Sequence, residues 1–331
     1  MARPRRRSGG GRPKAHHPDR SRLKGFGYFR RLGPGFVTGA ADDDPAGIGT
    51  YSQVGASFSF AFVWTAPICL PLASAVQETA ARLGLATGRG LMELIKERFP
   101  RPIMWLAMAL IVSANTFNIG ADLGAMAAAF RLLVPVPFAL LVIVFSVGIV
   151  LLEVFVPYER YSQILRWLAL SIFAYVVELF VVDVDWAAVI DGFIPSLHPS
   201  GSWVGALVAI LGTTISPYLF VWQAGEEVEE RKAHRVTRVD ATHLRLMRVD
   251  VVTGMAAGVL VMFAIMVTSA STLGAEGVGQ IQTAAQAARA LEPLAGRFAE
   301  VLFAAGIVGT GLLAVPTLAG SAAYALSEAA G

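Results

Sequence analysis

Apolar residues run along this chain in blocks of about twenty, each broken by short polar stretches rich in charge, glycine or proline. Twenty residues of helix match the hydrocarbon core of a bilayer, so each block reads as a transmembrane helix. Eight spans follow, at about 33–52, 60–80, 102–131, 137–156, 163–182, 203–225, 250–272 and 298–322. Span 3 exceeds the length needed to cross, which predicts tilt or extension beyond the bilayer.

Two spans depart from a plain apolar helix. Span 1 carries Asp42, Asp43 and Asp44 at its centre, followed by Pro45, with Gly39, Gly47 and Gly49 on either side. A carboxylate at mid-bilayer costs several kcal/mol by insertion scales, and a proline removes one backbone donor and breaks the helical ladder. Span 6 has Thr213, Thr214, Ile215 and Ser216 followed by Pro217 and Tyr218. Unwound backbone at membrane depth is tolerated where it lines a cavity. Corresponding breaks five helices apart point to a binding site between two inverted repeats. The expectation is an all-α membrane protein in which broken helices 1 and 6 face each other across an ion.

Composition supports the class. The 331 residues are 55% hydrophobic and 15% charged, and the mean hydropathy of +0.59 is too high for a soluble chain of this size. Net charge is +3, yet 11 of the 27 Lys and Arg lie in residues 1–31. The others concentrate in the loops 81–101, 157–166 and 225–249, while 53–59 and 183–202 carry none. This is the positive-inside pattern. It predicts both termini in the cytoplasm of a multi-pass plasma (inner) membrane protein, and a disordered basic tail over 1–31 held against anionic lipid; it gives no face for nucleic acid. Residues 32–331 are expected to form one transmembrane domain, with a first repeat over about 33–182 and a partial second over about 203–322. No short apolar run with a small-residue cleavage site follows the basic tail, so no cleavable leader is read there.

The single cysteine, Cys69, excludes a disulfide or a cysteine-based zinc site within one chain. His16, His17, His198, His234 and His243 lie in the tail or loops without metal-binding helical spacing. No enzyme chemistry and no cofactor is called for. An intramembrane aspartyl protease needs a second motif such as GxGD, whereas Asp122 follows Gly120 and Ala121.

Gly33-Pro34-Gly35-Phe36, Asp44-Pro45-Ala46-Gly47, the loop 82–100 and Asp122-Leu123 in span 3 resemble the NRAMP (natural resistance-associated macrophage protein) family of divalent-metal transporters, from about residue 33 to the end of the sequence. The resemblance implies a LeuT-type inverted-repeat fold and alternating access, with the cation held between spans 1 and 6. It places the metal at Asp44, with the carbonyl of Thr213 matching a backbone ligand. The family's metal-binding asparagine falls on Gly47, and its Met-Pro-His falls on Ser216-Pro217-Tyr218.

Losing the thioether and the imidazole leaves Asp44, Thr213, Thr214 and Ser216, with Asp43 lining the approach. Carboxylate, hydroxyl and carbonyl oxygens suit Mg²⁺ or Mn²⁺, as in the NRAMP-related magnesium transporter branch. The family's second acidic residue of span 3 falls on Ala125, so only Asp122 remains there as a proton relay. Passive entry and proton symport both stay open. Asn118 in span 3 and Glu178 in span 5 are further pathway candidates; Glu226 to Arg238 reads as a solvated charge run.

Alternatives are a proton-coupled Fe²⁺/Mn²⁺ symporter of the same family, an organic-solute transporter of the same fold, and an inactive truncated fragment. Two five-helix repeats need ten spans and this sequence has eight, which predicts a missing C-terminal segment.

Overall fold

The computed structural model describes residues 33–156, 158–195, 200–274 and 284–330. The predicted basic tail over 1–31, with its lipid contacts, and His198 lie outside them. Thirteen α-helices make up the described chain: α1 Pro34–Ala41, α2 Pro45–Phe58, α3 Thr65–Thr87, α4 Leu91–Arg98, α5 Arg101–Leu133, α6 Phe138–Phe155, α7 Tyr158–Leu168, α8 Phe173–Glu178, α9 Trp186–Asp191, α10 Gly201–Thr214, α11 Pro217–Ala233, α12 Ala241–Ser269 and α13 Ala284–Ala330. The fold is all-helical among these residues.

Span 1 is α1 plus α2, span 6 is α10 plus α11, and both break where the prolines stand. Among the described residues, five helical stretches are long and apolar enough to cross a membrane, or six if the α2–α3 pair, bent by 113°, is taken as one. The shortfall from eight has local causes. Span 1 is split after the eight residues of α1, and span 5 is interrupted by the 3-10 turn Ala169–Ile172 between α7 and α8. These apolar stretches make the chain an integral multi-pass membrane protein.

The interior is built on α12 and α13. Met255, Val261, Met262, Ile265 and Val267 of α12 are buried, as are Phe303, Ile307, Leu313 and Leu318 of α13. By contrast, α5 and α6 turn Leu106, Leu110, Phe117, Ile143, Val154 and Phe155 outward. In water so large an apolar surface is a liability; against lipid it is the required face.

One crossing sets the position of the first half-helix. Gly35 and Gly39 of α1 meet Gly254 and Gly258 of α12, and a β-carbon on Gly39 or Gly254 would run into the opposite backbone. Paired small residues four apart allow this approach in membranes. The N-terminus of α1 is tied to the same helix: Asp250 accepts hydrogen bonds from the Gly33 and Gly35 N–H groups, both at 2.8 Å. Two of the helix's otherwise orphan donors are thereby satisfied from another element.

Side-chain contacts tie α11, α12 and α13 to α3 and α4. Arg231 donates to the Leu85 and Ala86 carbonyls at the end of α3. Glu328 accepts from the Met92 N–H at the start of α4, and Arg248 bonds Glu78 at 2.8 Å. The charge run beginning at Glu226 is not solvated from its start. Gln223, Glu226 and Glu227 are buried, with Gln223 donating to Glu227 and Tyr324 to Glu226, and exposure begins further along α11.

Candidate metal-binding site between two broken helices

The break in span 1 follows from Asp-Pro. Asp44 is the N-cap of α2, and its Oδ1 accepts from the Gly47 N–H at 2.6 Å. Pro45 takes the first helical position, where the missing N–H would have had no partner. The Ala46 N–H donates to Asp122 Oδ1 of α5 at 3.1 Å. The first turn of α2 therefore directs its N–H groups, and its partial positive charge, at two carboxylates.

Span 6 repeats the grammar with a weaker cap. Ser216 is the N-cap of α11 and Pro217 its first residue, but the Ser216 side chain does not cap. Its hydroxyl turns back to donate to the Thr213 carbonyl at 2.8 Å. Two tyrosines then join the breaks. Tyr218 of α11 donates to the Ala41 carbonyl at the end of α1 at 2.8 Å, with its hydroxyl 3.5 Å from Asp44 Oδ2. Tyr51 of α2 shares a 2.9 Å hydrogen bond with Thr214 at the end of α10.

Gly47 marks the meeting point. A β-carbon there would lie 3.1 Å from Asp44 Oδ1, 3.2 Å from Thr213 Oγ1 and 3.4 Å from the Asp42 carbonyl oxygen. Three oxygens of three kinds (carboxylate, hydroxyl and backbone carbonyl) converge beside one glycine, from both sides of the span 1 break and from span 6. Such a set matches hard, oxygen-seeking cations. No cluster of three or more His, Cys, Asp or Glu side chains placed to hold a metal occurs among the described residues, so the convergence depends on neutral oxygens joining one carboxylate.

The other predicted residues separate. Thr214 is turned away, its hydroxyl donating to the Ile210 carbonyl at 2.8 Å. Asp43 is fully buried with neither carboxylate oxygen hydrogen-bonded; its Oδ2 faces Gly258 of α12, 3.4 Å from where a β-carbon there would sit. Glu178 is also buried with both oxygens unpartnered, on α8. Asn118 is half-buried on α5, and its neighbour Asn115 donates to the Leu318 carbonyl of α13 at 3.0 Å. Sequence reasoning missed Tyr51 and the capping role of Asp250. Tyr51 stands one helical turn after Gly47 and was open to periodicity, whereas Asp250 gives no local signal.

The family profile "Natural resistance-associated macrophage protein-like" matches residues 35–331. The chain belongs to the Nramp family. Its curated relatives include the Divalent metal cation transporter MntH of Deinococcus radiodurans, 33% identical over 302 residues, covering 87% of this chain and 67% of the relative. MntH of Pectobacterium carotovorum is 31% identical, with 87% and 70% covered.

Among solved structures, a mutant of the Eremococcus coleocola manganese transporter superposes with a TM-score of 0.75 at 20% identity, over 96% of this chain and 68% of the other. The same transporter in complex with an aromatic bis-isothiourea compound gives 0.73, with 93% and 67% covered. The Nramp fold is the LeuT-type arrangement with broken helices 1 and 6.

Proposed function

We propose that this chain moves a divalent metal cation, Mg²⁺ or Mn²⁺, across the membrane by alternating access, with the ion held between the breaks of spans 1 and 6. The observation that carries the reading is the convergence of Asp44 Oδ1, Thr213 Oγ1 and the Asp42 carbonyl beside Gly47. The names of the relatives, divalent metal cation and manganese transporters, support the substrate class. The ion choice rests on the donors. With glycine at 47, serine at 216 and tyrosine at 218, the set is all oxygen, the donor type that Mg²⁺ and Mn²⁺ take. Thr214 and Ser216 shape the break, and Asp43 stands beside it.

Both termini face the cytoplasm in this reading, with the basic ends of α3, α4, α11 and α12 on the inner side and the 1–31 tail against anionic lipid of the plasma membrane. Entry is driven by membrane potential. Ala125 and Tyr218 stand where family members carry titratable groups, which leaves Asp122 alone, already bonded to Ala46.

Reconstitution of the full chain into liposomes, with Mg²⁺ and Mn²⁺ entry and internal pH read together, tests this. The expected result is cation entry without acidification, abolished by Asp44→Asn. Strong preference for Fe²⁺ or Cd²⁺ over Mg²⁺, or uptake of an amino acid that Asp44→Ala removes while metal binding persists, would overturn it.

A further inference from the structure

The face of α11 that starts at the break stays polar as the helix runs on. Gln223, Glu227 and Glu230 stand about two, three and four turns beyond Ser216, so all four share one line along the helix. Gln223 is 0% and Glu227 5% exposed, and the Gln223 Nε2 donates to Glu227 Oε1 at 3.0 Å. That bond uses only one end of the amide: Gln223 Oε1 is buried with no hydrogen-bond partner. The oxygen and nitrogen of an amide are about 2 Å apart, so the orphan oxygen lies beside the same carboxylate. One turn further on, the line reaches the start of α1. A β-carbon on Gly33 would lie 2.9 Å from Asp250 Oδ2 of α12 and 3.3 Å from Glu230 Oε2. Carboxylates from two helices thus converge on one point, and the Glu230 side chain is 36% exposed there.

A buried acceptor without a donor is costly, and a buried carboxylate beside it adds to the cost unless a cation offsets both. We propose that Gln223 and Glu227 form a second station for a divalent cation, which receives the ion after it leaves Asp44, with Glu230 and Asp250 at its mouth; this rests on the transport proposed for the chain. One carboxylate, one amide oxygen and retained water make a hard donor set of the kind Mg²⁺ and Mn²⁺ accept. The terminal torsion of a glutamine is broad and two-fold, so the amide turns over at little cost. In the structure Gln223 turns its N–H to Glu227. With a cation bound, the same amide presents Oε1 to the ion, and the orphan oxygen gains its partner.

Mn²⁺ is titrated into the full chain in detergent, and the free ion is counted by its electron paramagnetic resonance signal. Glu227→Gln is expected to bind one Mn²⁺ fewer than wild type, Asp44→Asn one fewer, and the double variant two fewer. Gln223→Leu weakens the Glu227 station about tenfold or more, whereas Gln223→Glu sets a second carboxylate against the ion and tightens it. A glutamine that only braces α11 predicts no gain in Mn²⁺ affinity from Gln223→Glu, because the two carboxylates then merely repel. Monodisperse elution of each variant certifies folding, and Gln223→Leu carries the test if Glu227→Gln aggregates. A count that Glu227→Gln leaves unchanged, or an affinity that neither Gln223 variant moves, overturns the second station whatever Asp44→Asn does. A count lowered by Glu227→Gln but not by Asp44→Asn upholds Gln223 and Glu227 as a cation site and overturns the Asp44 site instead.

Discussion

In the proposed site, the missing side chain at Gly47 decides how much room the ion has. Three oxygens sit 3.1 to 3.4 Å from the β-carbon position, so any substituent crowds Asp44 and Thr213, and an asparagine also adds an amide oxygen. Mg²⁺ gives up water reluctantly and usually keeps several molecules when bound. Gly47→Asn is therefore expected to cut Mg²⁺ entry far more than Mn²⁺ entry, changing the flux ratio by about tenfold, or about 1.4 kcal/mol. Paired proteoliposome fluxes measure it, and an unchanged ratio would show that the volume beside Gly47 does not set selectivity. Tyr218 acts at the same scale on stability. Its hydroxyl is the donor to the buried end of α1; Tyr218→Phe leaves that carbonyl unpaired, and a loss of about 1–3 kcal/mol follows, read as a lower melting temperature in detergent.

Among the elements, α1 is held by two devices on one partner, the glycine crossing with α12 and the Asp250 carboxylate at its N-terminus. Gly254→Leu forces the crossing apart and is expected to cost about 3 kcal/mol or more, seen as loss of folded protein on size exclusion. Asp250→Asn is milder. An amide can accept one of the two hydrogen bonds but sets a donor against the other, so amide exchange over 34–41 should quicken about tenfold or more. Equal exchange in the variant would show that the crossing alone fixes α1. Both helix breaks were legible in sequence, because Asp44-Pro45 and Ser216-Pro217 each place a small polar residue and a proline at the start of a new helix whatever surrounds them. The partners were not. Asp250 is 217 residues from Gly33, and Met262 reads as an ordinary apolar position until the packing sets it against Thr214. Asp42, Asp43 and Asp44 are successive in sequence, yet at the helix break Asp44 turns to the Gly47 N–H and Asp43 to Gly258 of α12.

At the scale of the whole molecule, the proposed transport turns on what drives the ion, and Asp122 is the residue that tests it. One of its oxygens accepts from Ala46 and the other has no partner, so the residue both holds the start of α2 beside Asp44 and supplies charge. An asparagine turned with its oxygen toward Ala46 keeps the first function and removes the second. If Asp122 only positions α2, Asp122→Asn retains most of the cation entry and leaves its dependence on potential intact. If it relays protons, that variant loses any acidification that accompanies entry and most of the flux with it. A potential contributes about 2.3 kcal/mol per charge per 100 mV, hence about 4.6 kcal/mol for a divalent ion, enough for accumulation without a coupled proton. The expected outcome is entry that rises with an imposed inside-negative potential, equally in wild type and Asp122→Asn, with internal pH constant in both. Acidification in wild type that disappears in the variant would instead make this chain a proton-coupled carrier using a single carboxylate.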